Sequence, residues 1–118
     1  MSLQHTLARP PAETPKLRET DGEGTEALVY AHYFLPSTRV DIFVTEYDPD
    51  EDIIFGWTIL DNYDFGEFGY TSMKEIEELE INAPIIIDGE KKFFPVKVEM
   101  DMYWSKKPIR EAIGELDK

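Results

Sequence analysis

The sequence predicts an α+β fold: a single domain with an antiparallel sheet, wound as a meander, and one or two short helices packed on it. Three observations carry that prediction. Three β-type runs follow one another within residues 26–60, separated by turns too short for parallel crossovers. Ser72-Met73-Lys74-Glu75 has the pattern of a capping box, in which serine and glutamate satisfy free groups at a helix start. Pro108, ahead of Ile109, Ala112, Ile113 and Leu116, marks a short terminal helix.

In chain order, residues 1–25 read as a partly flexible arm, and residues 26–118 as the domain. Pro10, Pro11 and Pro15 forbid a continuous helix in the arm, and Asp21-Gly22-Glu23-Gly24 is a turn or joint. The first strand covers 26–35 and carries Leu28, Val29, Tyr30, Tyr33 and Phe34, ending at Pro36-Ser37. The second, 38–47, alternates, with Val40, Ile42, Val44 and Glu46 on one face and Asp41, Phe43, Thr45 and Tyr47 on the other. Asp48-Pro49-Asp50-Glu51 is a turn, and 52–60 is the third strand, with Ile53, Ile54, Phe55, Trp57 and Ile59. Residues 61–70 read as a loop of glycine, acid and aromatic residues. The helix then runs to about Ile81, with Met73, Ile76 and Leu79 inward and Glu75, Glu77 and Glu78 toward water. Ile85-Ile86-Ile87 is a short buried strand, Asp88-Gly89 a hairpin turn, and 93–104 one or two further strands interrupted at Pro95.

Composition bounds the function. The chain has 118 residues, 42 % hydrophobic and 13 % aromatic, enough apolar material to fold despite a formal charge of −13. All of that surplus lies in residues 46–90, which hold 14 acids and one base; the other 73 residues carry 11 of each. Such a field repels nucleic acid and anionic lipid and attracts cations or basic protein surfaces. The absence of cysteine removes disulfides, thiolate catalysis and cysteine-based zinc sites. No apolar run is long enough to span a membrane, and the N-terminus lacks a secretion-signal core, so a cytoplasmic protein is expected.

Several constellations invite chemistry. Asp48, Asp50 and Asp52 open like a calcium loop, but the glycine and glutamate that loop needs at its sixth and twelfth positions are Ile53 and Ile59. A solvated turn is the simpler reading. Pro49-Asp50 with Glu90-Lys91-Lys92 has the residue types of a metal-dependent nuclease, yet sits in the acidic block, where a nucleic-acid backbone is repelled. His32 is alone in an apolar strand, and one histidine builds no zinc site. No nucleophile elbow or phosphate-binding glycine loop occurs. Glu46 ends the apolar face or is a partly buried carboxylate with a raised pKa or a specific partner. Glu99 and Asp101 share one strand face, expected to be solvated. Tyr63, Phe65, Phe68 and Tyr70 lie beside Asp61, Asp64 and Glu67, where they pack on the sheet or anchor a basic partner.

Several of these segments have counterparts in one known family. They are Pro15-Lys16-Leu17, Thr20-Asp21-Gly22-Glu23-Gly24, Ala27-Leu28-Val29-Tyr30 and Phe34-Leu35-Pro36-Ser37, then Thr45-Glu46-Tyr47-Asp48-Pro49 and Phe55-Gly56. Glu67-Phe68-Gly69-Tyr70-Thr71-Ser72 and Val98-Glu99-Met100-Asp101-Met102-Tyr103-Trp104 complete the set. In order and spacing the chain resembles, over about residues 15–110, the domain-of-unknown-function 2958 family of small bacterial proteins. It departs at Met100, where an arginine is usual, and at Pro36-Ser37, where Pro-Asp is usual. The resemblance implies a setting on plasmids, phages and other mobile elements, and transfers no catalytic residue.

The function expected from all this is a non-enzymatic interaction module that engages a basic surface of a DNA-handling partner, in its sharpest form by mimicking nucleic acid. It has no cofactor, no metal ligand and no direct nucleic-acid or membrane binding. The partner-binding candidates are Asp48, Asp50, Asp52, Glu75, Glu77, Glu78, Tyr63 and Phe65, with Glu46, Glu67, Glu99 and Asp101 as special carboxylates. Two alternatives stand beside it: a carboxylate-based metal-dependent enzyme or nuclease using Glu46, Glu99 and Asp101, and an acidic domain whose charge only aids solubility.

Overall fold

A computed structural model describes residues 6–60 and 65–116. Its centre is a five-stranded antiparallel sheet of order β5-β4-β3-β2-β8. The strands are β2 (Ala31–Leu35), β3 (Val40–Asp48), β4 (Ile53–Ile59), β5 (Gly66–Ser72) and β8 (Glu99–Met100). The expected meander is therefore present, with β2, β3 and β4 adjacent and antiparallel. Helix α1 (Met73–Glu78) packs on one face of this sheet and α2 (Ile109–Leu116) on the other.

Alternation decides which residues reach which face. Ala31, Tyr33, Leu35, Ile42, Val44 and Ile54 point to the first face, where Met73 and Ile76 of α1 close the core. Phe43 and Ile59 point to the second, against Ile109 and Ala112 of α2 and Val29 of β1 (Leu28–Val29). Among the described residues strand β1 is paired only with β9 (Lys107–Pro108), so the expected first strand is two short ones broken at Tyr30. A 3-10 turn, Gly24–Glu26, precedes them. Among the described residues no helix is long and apolar enough to cross a membrane.

Four expectations of local structure are corrected. The first is the buried strand at Ile85-Ile86-Ile87: Ile86 and Ile87 are exposed, because their strand lies in a two-stranded hairpin outside the main sheet. Residues 66–70, expected in a loop, belong to β5. The glycines there weaken any local preference, but pairing with β4 brings Phe68 against Trp57 and Tyr70 against Phe55, and cross-strand ring contacts outweigh that cost. Gly66 makes room for the Trp57 indole: a Cβ there would lie 2.1 Å from Trp57 Nε1 and would push the ring aside. Helix α1 stops at Glu78 rather than near Ile81, because Leu79 already has extended backbone. The β-branched run after it joins β6 (Glu80–Ile87), which pairs with β7 (Glu90–Lys97) as a two-stranded hairpin around Asp88-Gly89. Pro95 sits inside β7 rather than interrupting it, tolerated because that strand is paired on one side only.

One irregularity sets the geometry of everything below. Val44 pairs with Gly56 but Glu46 pairs with Phe55, so Thr45 is an extra residue, a β-bulge. Its buried hydroxyl donates to the Phe55 carbonyl at 3.3 Å. The bulge shifts the alternation by one, so that Tyr47 joins the first face and Glu46 leaves it for the second. Gly56 allows β3 and β4 to approach at this point, since a Cβ there would meet the Phe43 carbonyl oxygen at 1.9 Å. Gly56→Ala is therefore expected to destabilise the domain by about 3 kcal/mol, read as a lower urea midpoint at unchanged slope. A loss under about 1 kcal/mol would show that the backbone beside the bulge yields.

Candidate functional site

Where the β3–β4 turn meets the start of α1, acidic side chains collect. Asp48 Oδ1 accepts from the Asp50 amide (2.9 Å) and the Glu51 amide (3.4 Å), which closes the turn, and Asp52 leaves it with φ 58°. The Met73 amide donates to the Asp52 carbonyl at 2.9 Å, and Ile53 pairs with Ser72, so turn and helix start form one corner. Ser72 caps the helix: its hydroxyl accepts from the Glu75 amide (3.0 Å) and donates to Glu75 Oε1 (3.2 Å). Asp50, Glu51, Glu75 and Glu78 are exposed, and Asp48 is half-buried.

Glu77 and Asp52 behave differently, which corrects the expectation that Glu77 faces water. Arg9 holds both. Its Nε and Nη2 grip the two Asp52 oxygens at 3.0 and 2.8 Å, and Nη1 reaches Glu77 Oε2 at 2.8 Å. The Leu7 amide donates to the same Glu77 oxygen at 2.8 Å, and Tyr47 donates to Asp52. Leu7 is buried against the α1 side of the sheet, and Tyr33 donates to the Ala8 carbonyl at 2.7 Å. The Arg9 hydrogen bond holds the Glu77 carboxyl below its usual range, against the opposing effect of burial. Burial works against the Asp52 carboxylate, but the Tyr47 and Arg9 hydrogen bonds outweigh it and lower its pKa too. Burial and then the Asp52 hydrogen bond push the Tyr47 phenol up to about 12.

A second latch lies on the opposite face. Glu46 is completely buried and accepts hydrogen bonds from the Arg18 amide (2.7 Å), the Thr20 amide (2.9 Å) and the Thr20 hydroxyl. Glu46 therefore does not extend the apolar face of β3; it is enclosed by donors of the N-terminal segment. Between the latches the Tyr47 amide donates to the Pro15 carbonyl at 2.8 Å, where the N-terminal segment crosses the edge of β3. Arg18 offers Glu46 its backbone only; its guanidinium turns to Asp21 at 3.4 Å. The buried charge is thus met by oriented N–H and O–H dipoles.

The remaining candidates are scattered. Glu67 and Glu99 are exposed, on opposite edge strands of the sheet, β5 and β8. Asp101 is half-buried rather than solvated: its Oδ1 accepts from the Tyr103 amide (3.0 Å) and its Oδ2 lies 3.2 Å from His32 Nδ1. The other ring nitrogen of His32 lies 2.6 Å from buried Asp41, and the ring stacks on Phe43 at 4.8 Å. His32 stands 69 positions from Asp101 along the chain, so spacing gives no reason to group the two. Phe65 is exposed at the far end of β5, roughly 20 Å of strand from the corner, and Tyr63 lies outside the described residues. The structure therefore unites Asp48, Asp50 and Asp52 with Glu75, Glu77 and Glu78, and separates them from Glu46, Glu99, Asp101 and Phe65. Among the described residues, no group of three or more histidine, aspartate or glutamate side chains is arranged to hold a metal ion. No protein-family model, curated protein or solved structure matches this chain.

The Arg9 latch has a pH signature. Asp52 and Glu77 have folded pKa values below their ordinary 3.8 and 4.5. Their contribution is thus present above those ordinary values and is lost as pH falls through the lower folded ones. Arg9→Met is expected to cost about 1–2 kcal/mol at pH 7, discounted for the third of Arg9 left in water. In urea titrations the gap from the native protein should narrow toward pH 3; a gap independent of pH would contradict the latch. Glu46→Gln, which turns two N–H groups toward existing donors, is expected to cost about 2–3 kcal/mol at neutral pH by the same measurement. A near-neutral effect would mean the dipoles around Glu46 reorient freely.

Proposed function

We propose that this chain is a non-enzymatic interaction module whose acidic corner engages a basic surface on a partner protein. One observation carries the reading. The β3–β4 turn and the start of α1 are tied together, and the nearby cation, Arg9, is already consumed by Asp52 and Glu77. The exposed carboxylates of Asp50, Glu51, Glu75 and Glu78 are left with Lys74 as the single exposed base on α1. A field of one sign on a rigid support attracts a basic surface and accelerates its approach. The two elements are rigid because the capping bonds of Ser72 and the turn bonds of Asp48 hold them.

The sharper form of the reading makes the partner a DNA-handling protein and the corner a stand-in for its phosphates. Duplex DNA presents one charge per about 1.7 Å of axis, so closely packed carboxylates are the relevant chemistry. A setting on a mobile element and a cytoplasmic location belong to the same proposal, and they rest on the resemblance drawn from the sequence of residues 15–110 alone.

The test is capture by the tagged protein from its native host, with bound proteins identified by mass spectrometry. Capture should weaken steeply as salt rises from about 0.01 M to about 0.15 M, where the screening length contracts from roughly 30 Å to roughly 8 Å. Glu75→Lys with Glu78→Lys should abolish it while leaving the fold intact, because both side chains are exposed and Glu77 is spared. The Glu75 amide keeps its bond to the Ser72 hydroxyl, although the side-chain half of the cap is lost. The control pair Glu13→Lys and Lys16→Glu should change nothing. Duplex DNA should compete if the corner stands in for phosphates. Undiminished capture by the corner variant would reduce these carboxylates to solubilising surface.

A further inference from the structure

On the sheet face opposite the acidic corner lies a cavity of about 340 Å³, lined by Thr20, Asp21, Gly22 and Ala27 on one side and Phe55 and Phe68 on the other. That volume is at the small end of ligand pockets. We propose that this cavity is a binding site for a guanidinium group, the side chain of an arginine presented by a partner. The site is independent of the corner and holds whether or not the corner binds anything.

Three features select that chemistry. The aromatic wall is the first. Phe55 and Phe68 lie nearly parallel, 6° apart with centroids at 5.6 Å, and Tyr70 and Trp57 extend the row. Phe68 remains 38 % exposed and Tyr70 60 %. Ring faces carry negative potential, so a flat cation stacks on them, and guanidinium is both flat and weakly hydrated. The second feature is the charge behind the wall. Glu46 is wholly buried, and among the described residues no lysine, arginine or histidine side chain forms an ion pair with it. It stands behind both walls, since Thr20 donates to it and Phe55 is its cross-strand partner. Its bonds come from neutral N–H and O–H groups, so no cationic side chain already there opposes a cation entering beside it. The third feature is the acceptor set. The Thr20 hydroxyl gives its proton to Glu46 and so keeps a lone pair for an incoming N–H. Asp21 adds an exposed carboxylate whose present partner, Arg18, is held only at 3.4 Å. An arginine from outside, stacked on Phe68, can take that carboxylate with better geometry. A nucleobase would stack as well, but its phosphates are repelled by a chain of charge −13.

The probe is the blocked tripeptide acetyl-Gly-Arg-Gly-amide, followed by amide shifts in nuclear magnetic resonance spectra of the full chain at physiological salt. Saturable shifts centred on Thr20, Asp21, Gly22 and Phe68 are expected by about 10 mM, since a fragment of this size reaches millimolar affinity. Replacing its arginine with citrulline, which keeps the shape and removes the charge, should weaken binding at least about tenfold, and lysine should bind more weakly than arginine. Phe68→Ala and Asp21→Asn should each weaken it about fivefold or more; Asp21 is on the surface, so that variant tests the site even if the first fails to fold. Glu75→Lys with Glu78→Lys should leave binding unchanged. Absence of saturation, equal binding of the citrulline peptide, or shifts confined to the acidic corner would each overturn the proposal.

Discussion

Strand β3 has nine residues and its neighbour β2 has five. Among the described residues the last inter-strand bond on that side runs from the Tyr30 amide to the Val44 carbonyl, and no strand lies beside the edge from Thr45 to Asp48. A bare edge leaves backbone donors and acceptors unsatisfied and invites foreign strands. The rest of the molecule is arranged around that deficit. Residues 7–20 cover it, held to the first face by Arg9 and Leu7 and to the second by the buried Glu46, with the Pro15–Tyr47 bond at the crossing. The bulge at Thr45 makes this possible, because it turns Tyr47 toward one latch and Glu46 toward the other.

Both proposed surfaces depend on the same segment. On the first face Arg9 neutralises Asp52 and Glu77, which separates carboxylates that hold the fold from carboxylates free to meet a partner. On the second face Thr20 and Asp21, brought in by Glu46, form one wall of the cavity that β4 and β5 close with rings. Domains of this size are stable by only about 5–15 kcal/mol, so a latch worth one or two is a sizeable share. Loosening the segment would expose Leu7 and the neighbouring core as well as dismantle the sites.

Much of this is legible in the residues, and the failures have identifiable causes. Alternation in β3, the apolar β-branched and aromatic run of β4, short turns with Asp and Pro, the Ser72–Glu75 capping box and the Ile109–Leu116 spacing are local signals, and each names its element. Glu77 differs from Glu75 and Glu78 through Arg9 and the Leu7 amide, 68 and 70 residues earlier, and no helical period shows that. The bulge has no signature either: Thr45 reads as one more strand residue, which puts Glu46 on the wrong face by a count of one. Gly66 and Gly69 argue locally against β5, and only the rings of Phe55 and Trp57 across the ladder overcome that preference. The acidic corner is partly visible, since the charge block is linear, but its division between bound and free carboxylates is tertiary. The cavity has no trace in the sequence, because its two walls come from segments far apart in the chain.

Native-state hydrogen exchange at the amides of Arg18, Thr20 and Tyr47 tests the covering segment most directly. These three N–H groups make the bonds to Glu46 and Pro15. If the segment is an integral part of the sheet edge, they exchange only by global unfolding, with the same opening free energy as central β3 amides such as that of Val44. Exchange at these three positions orders of magnitude faster than at Val44 would show that the segment detaches on its own, and would contradict the account.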